Sequence, residues 1–144
     1  MIPFELRKLD HVVLRVRDLE ASLKFYRDVL GCPVDKIQER IGLWQVRAGD
    51  SLIDLVPLDG TLGKMGGAGP GAEGRNLDHF AIQMAPFDRQ EPDRFFDAIR
   101  AYLAEHNIEI VDSGTRYGAE GDGPSIYIRD PDGNIVELKG SFAH

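Results

Sequence analysis

Two histidines and two carboxylates stand inside apolar, strand-like runs, and their placing permits metal chemistry. His11 lies in Leu9-Asp10-His11-Val12-Val13-Leu14, and His79 in Leu77-Asp78-His79-Phe80-Ala81-Ile82. Glu137 lies in Asn134-Ile135-Val136-Glu137-Leu138, and Asp54 in Leu52-Ile53-Asp54-Leu55. Ionisable groups in such runs are costly unless something pairs with them. Two neutral imidazoles and one carboxylate form a facial triad for Fe(II), Mn(II), Ni(II), Co(II) or Zn(II), with positions left open for substrate or water. His11, His79 and Glu137 are therefore the expected ligands of a divalent ion. Such an ion polarises a carbonyl, stabilises an enediolate or activates water. Asp54 is read as a fourth ligand or as a carboxylate base beside the ion. A lone strand histidine is more often a hydrogen-bonded core or surface residue. The recurrence at equivalent places carries the metal reading.

The elements that must position these groups repeat. Residues 9–16 alternate, with His11, Val13 and Arg15 on one face and Val12, Leu14 and Val16 on the other. Asp18 is a suitable N-cap for a helix running to Leu30, and Gly31 a suitable C′ residue before Pro33. Strands are expected over 34–40, 43–48 and 51–57. The second half predicts a strand over 77–84, a connection from Pro86 to Pro92 and a helix over 92–106. Strands follow over 108–112, 124–129 and 134–140, with a Gly-rich turn at 114–123 and a tight turn at Asp130-Pro131-Asp132-Gly133. Both halves thus read β-α-β-β-β. The expected organisation is a first module over 1–58, a Gly-rich linker or lid over 59–75 and a second module over 76–144. Segment 59–75 holds seven glycines, yet no GxxxxGK[ST] phosphate loop.

Arg15, Gln83 and Lys139 share the ligand face of their strands, and Trp44 and Tyr127 are candidates for aromatic contacts. A rim salt bridge or core packing is at least as plausible for each. Asp10 and Asp78 are read as turn or surface contacts. His106 and His144 are assigned no chemistry, one at a helix end and the other in the tail.

Composition narrows the partners. With 24 acidic against 17 basic residues the net charge is −7, which argues against nucleic acid and anionic membrane. No apolar run approaches the ~20 residues of a membrane span. No basic segment followed by a long apolar run opens the chain, so no signal peptide is expected. Cys32 is the single cysteine, which points to a reducing, cytoplasmic setting and a structural thiol.

These residues resemble the vicinal oxygen chelate superfamily, which includes glyoxalase I, fosfomycin- and bleomycin-resistance proteins and extradiol dioxygenases. The matching parts are Leu9-Asp10-His11, Phe25-Tyr26-Arg27-Asp28-Val29-Leu30-Gly31, Leu77-Asp78-His79, and Tyr127 through Glu137. The resemblance implies an α+β fold of paired βαβββ modules forming an open, barrel-like cleft around the ion. It implies His11, His79 and Glu137 as ligands. It also implies a homodimer, since two chains commonly associate. Glyoxalase I resembles a four-ligand version, with a glutamate where this chain has Asp54. The extradiol branch carries a further histidine a few residues before the Tyr127 strand, where this chain has Tyr117-Gly118-Ala119-Glu120-Gly121-Asp122. The fosfomycin branch has a threonine where this chain has Val13. The expected function is a glyoxalase-type enzyme acting on a small oxygenated substrate by proton transfer, isomerisation or lyase chemistry, with Glu137 or Asp54 as base. The alternatives are a small Fe(II) dioxygenase and a non-catalytic, resistance-type binding protein.

Overall fold

Alternation of apolar and polar residues sets the first sheet. The computed structural model describes residues 1–85 and 90–141, which divide into two compact units, Met1–Pro70 and Gly71–His144. Part of the expected 86–92 connection, and His144, lie outside the described residues. In the first unit the strands are β1 (His11–Val16), β2 (Val34–Gln38), β3 (Leu43–Ala48) and β4 (Ser51–Pro57). Their order is β1-β4-β3-β2, with β1 parallel to β4 and the other pairs antiparallel. The register places His11, Val13 and Arg15 beside Leu52, Asp54 and Val56, and Gln45 beside Asp54. The opposite face carries Leu14, Val16, Val46, Ile53 and Leu55, all buried. Trp44 pairs with Leu55 and so lies on this apolar face, not beside Asp54 as a site aromatic.

Helix α1 (Leu19–Leu23) starts where Asp18 Oδ1 accepts from the Ala21 amide at 3.0 Å. It widens into a π-helical turn over Lys24–Val29 rather than continuing as a regular helix to Leu30. The wider turn brings Phe25 and Tyr26 inward together, with their rings edge to face at 4.8 Å. The Cys32 amide then donates to Tyr26 O at 2.8 Å, and Gly31 at φ +78° makes the reversal. Cys32 itself is buried, and burial pushes its thiol up, as a structural role requires.

The second unit repeats the plan with β5 (His79–Gln83), α2 (Pro92–Glu105), β6 (Ile110–Gly118), β7 (Gly121–Arg129) and β8 (Ile135–Lys139). The strand order is β5-β8-β7-β6, with β5 parallel to β8. Phe96 and Leu103 of α2 are buried, whereas Tyr102 is exposed and stacks near His106 at the helix end. The Gly-rich turn expected over 114–123 is confined to two residues, and strand occupies the rest. The segment is a hairpin of β6 and β7 reversing at residues 119–120. Its glycines mark close approaches inside strands: a Cβ at Gly118 would lie 2.5 Å from Lys139 Cε, and one at Gly123 would lie 2.0 Å from Gly140 O. Asp130 Oδ1 closes the last turn, accepting from the amides of Asp132 at 3.0 Å and Asn134 at 2.8 Å. The fold is α+β, built of two four-stranded mixed sheets. No described helix is long and apolar enough to cross a membrane.

Candidate functional site

Each unit brings one histidine to one buried carboxylate. In the second unit His79 opens β5, and Glu137 lies mid-strand on β8 in the row of Ala81 and Tyr127. His79 Nε2 stands 3.2 Å from Glu137 Oε1. Glu137 is only 5% exposed, and its Oε2 accepts from Ser125 Oγ at 2.7 Å. The Tyr127 ring meets the His79 ring edge-on at 5.6 Å, and Arg116 lies over Tyr127 at 5.7 Å. Burial raises the Tyr127 phenol, and the Glu137 carboxylate beside it raises it further.

The first unit carries the same pair with a longer gap. His11 Nε2 lies 3.9 Å from Asp54 Oδ2, and Asp54 is 3% exposed. Gln45 Nε2 donates to both Asp54 oxygens, at 3.1 and 3.2 Å, and Gln38 Nε2 donates to Gln45 Oε1 at 3.2 Å. The neutral amide holds Asp54 in place without cancelling its charge.

Asp10 and Asp78 do more than sequence reasoning assigned them. Asp10 Oδ2 sits 2.7 Å from His11 Nδ1, and Asp78 Oδ2 sits 2.7 Å from His79 Nδ1. The hydrogen bond to Asp10 is the main cause that raises His11, followed by the Asp54 charge. An aspartate at Nδ1 fixes the tautomer with its proton there and turns the Nε2 lone pair toward the carboxylate. Two acceptors then face each other at 3.2 Å in the His79–Glu137 pair. A cation or a proton between them is what makes such a pair favourable. Two neighbouring ligands of one ion, each ~2.0–2.2 Å from it, stand about 3.0–3.4 Å apart. His79 and Glu137 meet that spacing; His11 and Asp54, at 3.9 Å, exceed it. Among the described residues no group of three or more His, Cys, Asp and Glu side chains gathers at one point. The repeated Asp-His dipeptide was the signal for Asp10 and Asp78; Gln45 and Ser125 carried none.

The model of the Glyoxalase/Bleomycin resistance protein/Dioxygenase superfamily matches residues 8–138. The chain belongs to this superfamily. A virulence protein of Salmonella typhimurium is 28% identical over 137 residues, covering 91% of this chain and 82% of that protein. The glyoxalase domain-containing protein RDO1 of Mycosarcoma maydis is 29% identical over 136 residues, covering 92% of this chain and 67% of its own length. The crystal structure of the Salmonella protein aligns with a TM-score of 0.69 at 24% identity, over 96% of this chain and 99% of that one. A structure from the mobile metagenome of V. Pseudocholerae aligns with a TM-score of 0.67 at 27% identity, over 96% and 98%.

Within this glyoxalase-superfamily chain, part of the expected linker 59–75 is fastened to the ligand face of β1. Arg15 donates to Gly63 O at 3.0 and 2.7 Å, to Gly66 O at 3.1 Å, to Gly67 O at 2.7 Å and to Ala68 O at 2.9 Å. A Cβ at Gly66 would fall 2.4 Å from the guanidinium. Arg15→Met keeps the stem and removes all five hydrogen bonds. It is expected to speed thermolysin cleavage around Leu62 and Met65 about tenfold or more, as local opening becomes cheaper. An unchanged cleavage rate would show that Arg15 does not hold the segment.

Proposed function

We propose that this protein is a glyoxalase-type metal-dependent enzyme acting on a small oxygenated substrate. The reaction class is proton transfer leading to isomerisation or elimination. The observation that supports it best is the pairing of an aspartate-oriented imidazole with a buried carboxylate, closest at His79 and Glu137. His11, His79 and Glu137 would hold the ion, with Nε2 as the donor atom of each imidazole. A divalent ion there supplies Lewis-acid polarisation of adjacent substrate oxygens.

The chain's own residues do the rest. Glu137 has one oxygen engaged by Ser125 and the other facing His79, so it would serve as ligand. Asp54 is assigned the base, because its gap to His11 Nε2, 3.9 Å, is wider than the 3.2 Å between His79 and Glu137. Its carboxylate takes the proton from the substrate carbon and returns it at the neighbouring position. Gln45 holds that carboxylate still for the transfer. The reading includes a homodimer in the cytoplasm, to which a buried lone thiol is suited.

Metal analysis of the purified protein, after loading with Mn, Fe(II), Co, Ni or Zn, tests the reading. Stoichiometric metal in the wild type and its loss in His11→Ala are expected. Equal metal content in the two proteins would sink it. Dioxygen uptake with Fe(II) would move the reaction to the dioxygenase branch, and tight ligand binding without turnover would move the protein to the binding branch.

A further inference from the structure

One buried charge on the ligand face of the second sheet is left unused by that chemistry. Lys139 follows Glu137 by two residues on β8, so both side chains leave the same face, about 6.6–6.8 Å apart along the strand. Its row contains Gln83 on β5 and Ser125 on β7. Lys139 is 8% exposed. Its Nζ donates to Gly121 O at 3.2 Å and to Gly140 O at 2.9 Å. An ammonium has three N–H donors, so one remains. Among the described residues no carboxylate lies within salt-bridge distance of Nζ. Backbone carbonyls satisfy donors but do not neutralise a charge, and a buried charge without a counter-ion is costly.

We propose that Lys139 receives a carboxylate carried by the substrate. The inference deepens the function proposed above and rests on it for the role of Glu137 in binding the substrate's oxygens. The substrate class then narrows to a small oxygenated acid, with its carboxylate a few bonds from those oxygens. A single ammonium with one donor left suits one oxygen of a monoanionic carboxylate. A phosphate dianion calls for several converging donors or a guanidinium fork. The carbonyls of Gly121 and Gly140 aim the ammonium, and the missing side chain at Gly118 leaves space for its stem.

The test uses the full chain stripped of metal with EDTA, so it stands apart from the metal reading. Lactate and its neutral isostere lactamide are titrated at low ionic strength while the backbone amide signals of Lys139, Gly121 and Gly140 are followed by NMR. Lactate is expected to move these signals saturably, with an affinity about tenfold above that of lactamide, the size of one charge-assisted hydrogen bond. Lys139→Met is expected to bring the two ligands to equal affinity, and Lys139→Arg to keep the preference. Equal affinity in the wild type overturns the assignment, as does a preference that survives in Lys139→Met. Tighter binding of inorganic phosphate than of lactate at these signals overturns the choice of carboxylate. Should Lys139→Met fail to fold, the wild-type comparison decides alone. A lactate preference in a protein that binds no metal would remove the metal reading and leave this assignment standing.

Discussion

Glu137→Ala is expected to lower metal affinity by more than roughly 10²-fold and to abolish turnover, while Asp78→Ala costs about 10–100-fold in affinity. The ranking follows from what each carboxylate touches. Glu137 is buried and faces the lone pair of His79 Nε2 at 3.2 Å. Removing it leaves Ser125 Oγ without its acceptor and one imidazole facing a void. Asp78 is exposed and touches only Nδ1, on the far side of the ring. Losing it frees the tautomer and the ring orientation but leaves the donor atom in place. Isothermal titration of Mn(II) or Ni(II) into the wild type and both variants reads the two losses on one scale. Equal affinities for Glu137→Ala and Asp78→Ala would contradict Glu137 as a ligand. Asp54→Ala separates ligand from base: it is expected to reduce turnover with metal affinity changed far less than in Glu137→Ala. A collapse of metal affinity there would make Asp54 a ligand.

The strand frame and the sheet face that carries His11, Asp54, His79 and Glu137 were legible because both depend on period-two alternation, which survives in the sequence; the pairing of each histidine with the carboxylate of its own unit was not. Leu14, Val16, Ile53 and Leu55 face away from His11 and Asp54 because neighbours along a strand must point oppositely. The same rule excludes Trp44, whose neighbour Gln45 pairs with Asp54. What alternation does not encode is the partner a polar side chain selects. Asp10 and Asp78 precede their histidines and lie off the ligand face, yet both reach round to Nδ1. The glycines misled for a related reason. A run such as 114–123 reads as a turn because glycine weakens strands, but here glycines stand where another chain segment or a long side chain crosses a strand closely. The π-helical turn at Lys24–Val29 escaped notice because its apolar spacing differs too little from that of a regular helix.

A large loss of stability is expected from Gly123→Ala. A Cβ at that position would sit 2.0 Å from Gly140 O, 2.6 Å from Gly140 C and 2.7 Å from Ser141 Cα. All three are main-chain atoms, so no side chain can swing aside. The segment that would have to move is fixed, because the Gly140 amide donates to Pro124 O at 2.8 Å. The substitution is therefore expected to destabilise the fold by about 3 kcal/mol or more, at the upper end of overpacking costs. Gly71→Ala is the control: its Cβ would meet nothing within 4 Å, and about 0.5 kcal/mol or less is expected. Urea unfolding reads both, as a lowered midpoint at unchanged slope for Gly123→Ala. A midpoint equal to that of Gly71→Ala would show that residues 140–141 do not press on β7. The first unit contains a parallel case. A Cβ at Gly63 would lie 1.8 Å from Pro57 O, and the carbonyl of Gly63 accepts from Arg15. In each unit, then, a glycine permits a tight main-chain crossing next to a cation on the ligand face. At Gly123 the segment that crosses supplies Gly140 O, one of the two acceptors that aim Lys139. Gly123→Ala should accordingly lower the preference of the protein for lactate over lactamide even at temperatures where it remains folded.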